Sequence, residues 1–234
     1  MKKHLLIVWL MLCSMHLQAR TYLVCAGIAD YPGTENDLRI SDNDARTISK
    51  VFTATKQAYV NVLVNSEVTR SALLSSMRTT FANADSDDAV ILFFSGHGTP
   101  GALVCYDGFL AYQNIFNMLK GCKAKRKIII ADACYSGKMR TGKQQSTNYS
   151  SQNVMLFLSS RTQETSMETP YKNSMFTIFL ERGLRGGADK NKDRVVTARE
   201  IYEFVHQGVI KASGGRQHPV MWGKFDNNMS IINW

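Results

Sequence analysis

The run Ile128-Ile129-Ile130-Ala131-Asp132-Ala133-Cys134-Tyr135-Ser136-Gly137 constrains this chain more than any other stretch. Its β-branched start has no polar alternation, so neither face is meant for water. Such runs read as strands of a parallel sheet, buried on both sides and ended by turn residues. In open α/β sheets ligands sit at the carboxyl ends of the strands. Cys134 is therefore delivered where a nucleophile would act, although a buried structural thiol is the commoner fate of a lone cysteine. A second run of the same kind, Asp88-Ala89-Val90-Ile91-Leu92-Phe93-Phe94, ends in Ser95-Gly96-His97-Gly98. A histidine between two glycines has little to pack against and suits a loop where backbone must approach a ligand. The two strand ends thus supply an imidazole and a thiol, the pair that nucleophilic catalysis needs.

The rest of the chain alternates strand-like and helix-like segments, which predicts an α/β fold with a mostly parallel sheet covered on both faces. Strands are expected at 21–29, 59–64, 88–94, 128–133 and 153–160, with a last edge strand at 218–222 and a hairpin over 103–112. Helices are expected from Ser41 or Asp42 to Thr55, with Ala45, Ile48, Val51 and Phe52 inward, and over 69–82, 114–121, 175–184 and 197–210. Thr69 caps one of these, and Thr197 with Glu200 forms a capping box at another. Residues 138–152 hold few apolar side chains and read as a surface loop with nothing to offset its ordering cost.

Met1-Lys2-Lys3-His4 followed by an apolar stretch from Leu5 to Met15, then Leu17-Gln18-Ala19, reads as a secretory leader over 1–19, with an uncleaved anchor as the alternative. No second stretch is long enough to span a bilayer. The expectation is an exported protein, periplasmic or secreted, without stable membrane insertion once the leader is gone. The remaining residues, 20–234, fit a single domain. The hydrophobic share of 44% argues against disorder. A leader that takes Lys2 and Lys3 with it lowers the net charge from +9 to +7. That charge is spread without aromatic-interleaved basic motifs, so nucleic acid is not an expected partner. Beyond the leader, Cys25, Cys105, Cys122 and Cys134 lack zinc spacing. A disulfide among the first three stays open.

Ser95-Gly96-His97-Gly98 together with Asp132-Ala133-Cys134-Tyr135-Ser136-Gly137 resembles the caspase/metacaspase cysteine peptidases (peptidase family C14), nearer the bacterial metacaspase-like branch. The likeness runs from about Tyr22 to Trp222. It implies a caspase-like three-layer α/β/α sandwich with about six central strands, and an endopeptidase working with a Cys134–His97 dyad. The expected oxyanion donors are the backbone amides of Gly98 and Cys134. Where the caspase signature has Gln-Ala-Cys, this chain has Asp132-Ala133-Cys134. The resemblance to metacaspases places an acidic S1 pocket at Asp44, Ser95 and Asp132, matched to Arg or Lys at P1. Asp44 is open to a second reading, as a carboxylate at a helix start. The same resemblance makes 138–152 a linker cut during activation, with Lys138, Arg140 and Lys143 as self-cleavage points; an ordinary surface loop is the alternative. Protein or peptide substrates with basic P1 residues and a monomeric enzyme are expected. The competing readings are a catalytically inactive caspase-like scaffold and another cysteine peptidase of the same broad clan.

No cofactor is required by this chemistry. The loop after the histidine, 101–112, offers only Asp107, so a metacaspase-type calcium site there does not carry over. Asp189, Asn191, Asp193 and Glu200 fall at positions one, three, five and twelve of an EF-hand-like spacing. Arg194 stands where that loop needs glycine, which counts against calcium there; an Asx-rich turn before a capped helix is the alternative.

Overall fold

The computed structural model describes residues 19–133, 153–161, 167, 170 and 172–234. In chain order the strands are β1 (Thr21–Gly27), β2 (Ala58–Val64), β3 (Ala89–Gly96), β4 (Gly98–Thr99), β5 (Ala102–Cys105), β6 (Gly108–Ala111), β7 (Arg126–Ala133), β8 (Val154–Leu158), β9 (Val195–Thr197), β10 (Val220–Gly223) and β11 (Ser230–Asn233). The helices are α1 (Ser41–Ala54), α2 (Arg70–Phe81), α3 (Tyr112–Lys120), α4 (Met175–Arg182) and α5 (Ala198–Ser213). The central sheet has six strands in the order β10-β8-β7-β3-β1-β2. All its neighbours pair parallel except β10, which runs antiparallel to β8 at the edge. This is the α/β sandwich with a mostly parallel sheet that the run patterns predict.

Alternation within each strand divides the core. Val90, Leu92 and Phe94 of β3, with Ile129, Ala131 and Ala133 of β7, face α2, α3 and the β5–β6 hairpin. Ile91 and Phe93, with Ile128 and Ile130, face α1, α4 and α5. Because successive side chains point to opposite faces, Ser95 and Asp132 continue the second set toward α1 and α4. The inward residues of α1, Ala45, Ile48, Val51 and Phe52, are all buried.

Gly27 sets where α1 meets the sheet. A Cβ there would lie 2.3 Å from the Ser41 carbonyl oxygen and 2.8 Å from the Ala45 Cβ. The absent side chain lets the start of α1 rest on the end of β1, which brings Asp44 over the carboxyl ends of β3 and β7. The helix begins at Ser41 after Ile40, with no side-chain cap, unlike the Ser41 or Asp42 cap expected from sequence; packing against β1 holds its entry instead. Thr69 does cap α2, accepting from the Ala72 amide at 3.1 Å. Thr197 and Glu200 form the capping box of α5. A two-stranded sheet of β9 and β11 has no signature in the sequence, because Val195-Val196 and Ile231-Ile232 are too short to carry a period. Cys25, Cys105 and Cys122 are free thiols.

Candidate active site

β3 and β7 pair parallel as far as Ser95↔Asp132 and Gly96↔Ala133. The next residue on one strand is His97 and on the other Cys134. Cys134 lies outside the described residues, as do Lys138, Arg140, Lys143, the rest of the 138–152 segment and residues 1–18 of the expected leader.

His97 is held from three directions. Its Nε2 is 2.8 Å from the carbonyl oxygen of Asn36, at the end of the short turn Thr34–Asn36. A carbonyl only accepts, so in the neutral ring Nε2 carries the proton and Nδ1 is left as the basic nitrogen. The His97 amide donates to the Tyr31 hydroxyl at 2.8 Å, and that hydroxyl donates to the Val104 carbonyl at 3.1 Å. The His97 carbonyl accepts from the Val104 amide at 3.0 Å. Burial raises the Tyr31 phenol well above its ordinary range, so it stays a hydroxyl that can donate and accept at once. The Tyr31 and His97 rings also lie 4.8 Å apart. Gly96 makes this possible: a Cβ there would sit 2.6 Å from the Tyr31 hydroxyl oxygen. Gly98 opens β4 beside His97 and pairs with Leu103.

On the opposite face of the sheet, Asp44, Ser95 and Asp132 come together, all buried. The Ser95 hydroxyl donates to Asp44 Oδ2 at 2.9 Å. Asp44 Oδ1 accepts from the Asn173 side chain at 2.9 Å and from the Ser174 amide at 3.0 Å. Asp132 Oδ2 accepts from the Ser174 hydroxyl and, at 3.3 Å, from the Thr177 hydroxyl. Burial first, and then the charge of Asp132, push the Asp44 carboxyl up to about 7, against these hydrogen bonds. The cluster is thus closed over by the start of α4. Asn173, Ser174 and Thr177 escape sequence reading because they reach Asp44 across 129 and 130 residues and Asp132 across 42 and 45, with no motif of their own.

The acidic loop near the C-terminus is taken up by its own backbone. Asp189 Oδ2 accepts from the Arg194 amide at 3.0 Å, and Asp193 Oδ1 from the Val195 amide at 2.8 Å. Asn191 Oδ1 accepts from the Asp193 amide at 3.1 Å. Glu200 accepts from the amides of Lys190 and Thr197 at 3.2 and 3.0 Å. Arg194 adopts a left-handed φ of 66°. Among the described residues no three His, Cys, Asp or Glu side chains converge as a metal set. Asp107, in the hairpin after the histidine, pairs with Arg70 at 3.2 Å.

Residues 21–228 match the peptidase C14 caspase domain. The chain belongs to the caspase family. Among curated proteins no sequence matches significantly. The solved structures that share the fold of this caspase-family chain include two of similar size. One is a Geobacter sulfurreducens protein, at 14% identity and TM-score 0.68, over 88% of this chain and 94% of that one. The other is caspase-1 from Spodoptera frugiperda, at 16% identity and TM-score 0.68, over 90% of this chain and 88% of that one. Family membership makes this a cysteine-peptidase fold whose expected substrates are proteins.

Proposed function

We propose that this chain is an exported, monomeric cysteine endopeptidase in which Cys134 and His97 cut after Arg or Lys. The β3–β7 register carries the reading: with Gly96 paired to Ala133, the imidazole and the thiol are the next residues on adjacent parallel strands. The thiolate attacks the scissile carbonyl, and the proton of the thiol passes to His97 Nδ1. The imidazolium then gives that proton to the leaving amine as the C–N bond breaks. Water, with His97 as base, hydrolyses the acyl-enzyme and frees the thiol. Amides of Gly98 and Cys134 stabilise the oxyanion, each such donor being worth roughly 3–4 kcal/mol where measured. The Asn36 carbonyl holds the ring in place through Nε2.

The acidic trio Asp44, Ser95 and Asp132 supports a basic P1 residue. Two buried carboxylates repel unless a cation lies between them, and a guanidinium or ammonium supplies one with hydrogen-bond donors. The start of α4 covers the trio, so substrate entry requires Asn173 and Ser174 to give way. A basic preference makes Lys138, Arg140 and Lys143 self-cleavage points. This chemistry requires no metal.

The test is hydrolysis of matched peptides with Arg, Lys or Asp at P1, by wild type, Cys134→Ala and His97→Ala, with and without chelator. Turnover of the Arg and Lys peptides alone, lost in both variants and indifferent to chelator, is expected. Cleavage confined to the Asp peptide would overturn the pocket reading, and unchanged turnover in Cys134→Ala the dyad. Sizing of the purified protein and fractionation of cells after expression test the monomer and its export.

A further inference from the structure

On the face of the sheet away from the acidic trio, His97 forms part of the wall of a groove of about 440 Å³. Tyr31, Pro32, Val104, Tyr106 and Phe109 line it as well. Phe109 is the unusual member. Along β6 burial alternates, with Leu110 in the core and Phe109 outward at 64% exposure. Outward positions of such a strand ordinarily carry polar side chains; here the outward Phe109 instead adds apolar surface to a groove that His97, Val104 and Tyr106 also line. Its backbone is anchored. The turn before it is fastened to the start of α2 by Asp107, which accepts from the Arg70 amide at 2.7 Å, and by the Tyr106 amide, which donates to the Val68 carbonyl at 2.9 Å.

What fills the groove follows from the proton inventory. His97 must protonate the leaving amine, so the residue that carries this amine lies against the imidazole. P1 goes to the other side of the sheet ends, where Asp44 and Asp132 are. We propose that the groove is the subsite for the residue just after the scissile bond, and that Phe109 and Tyr106 select a large apolar side chain there. The inference rests on the peptidase reading above and names the second half of its substrate: a basic residue followed by an apolar one.

The test uses internally quenched peptides with Arg at P1 that differ only at P1′ (Leu, Phe, Gly or Asp), beside an acyl-arginine methyl ester, whose leaving group is too small to reach the groove. Wild type is expected to favour Leu and Phe over Gly and Asp by about tenfold or more in kcat/KM, the usual range for an apolar pocket contact. Phe109→Ala should bring that ratio below about threefold, and Phe109→Lys should raise Asp relative to Leu. A flat P1′ profile in wild type with brisk ester hydrolysis overturns the groove alone, as does a preference that survives both substitutions. Failure of wild type on the ester as well as on every peptide overturns the peptidase reading beneath it.

Discussion

Asp44 and Asp132, 88 positions apart in the chain, are tied together by Ser174, whose amide donates to the first and whose hydroxyl donates to the second. One residue at the start of α4 therefore serves two carboxylates, and the same residue caps its own helix by accepting from the Thr177 amide at 3.1 Å. The shared donor softens the repulsion between the carboxylates without supplying a positive charge.

The Asp44 carboxyl titrates near 7, above its ordinary 3.8, chiefly because it is buried and then because Asp132 is near. A raised folded-state value means that the folded protein binds this proton more tightly than the unfolded chain does. The resulting stability is complete below about pH 4 and drains away as pH rises through 7. Asp44→Asn keeps Oδ1 for Asn173 and Ser174 and turns an amide toward the Ser95 hydroxyl. It is expected to flatten the loss between pH 4 and 8, by on the order of 4 kcal/mol at most, in urea titrations at several pH values. The same variant should lose turnover of Arg-P1 peptides.

Tyr31→Phe removes the hydroxyl that joins the His97 amide to the Val104 carbonyl. Two part-buried backbone groups are then short of a partner, a loss of about 1–3 kcal/mol measurable by denaturant unfolding. With the imidazole less firmly placed, kcat/KM should fall by as much as about 100-fold, with little change in P1 preference.

Gly96→Ala places a methyl group 2.6 Å from the Tyr31 hydroxyl oxygen. Overpacking of this kind costs about 1–3 kcal/mol. In the double variant with Tyr31→Phe the clashing oxygen is gone, so the two losses should add to less than their sum. A double-mutant cycle on unfolding free energy checks this.

Thr197→Ala deletes one half of the capping box of α5, where the hydroxyl accepts from the Glu200 amide at 3.3 Å. A loss of about 1 kcal/mol is expected. Peptide hydrolysis should be unaffected when assayed well below the melting temperature.

The parts of this fold written as local pattern are legible in the sequence. Ile128 to Ile130 and Val90 to Phe94 form central strands because they have no polar face to offer. Thr69 and Thr197 cap helices because a hydroxyl there meets free amides. His97 and Asp132 stand at strand ends because turn residues follow them. The start of α1 is not legible in this way, since what holds Ser41 is a missing side chain at Gly27, on a different element. Asn173 and Ser174 were invisible for the same reason: their contacts with Asp44 depend on tertiary approach and not on any spacing. Phe109 reads as an ordinary hairpin residue until the alternation of β6 is seen to turn it outward.

The Nε2 proton of His97 rests on an oxygen of the main chain at residue 36. No exchange of side chain at that position can delete this oxygen, so the residue is free to drift while the imidazole keeps its aim. A change in the length of the segment from 33 to 37 would act differently. It would carry the carbonyl out of reach and disarm the histidine, leaving every residue of the His97–Cys134 motif intact.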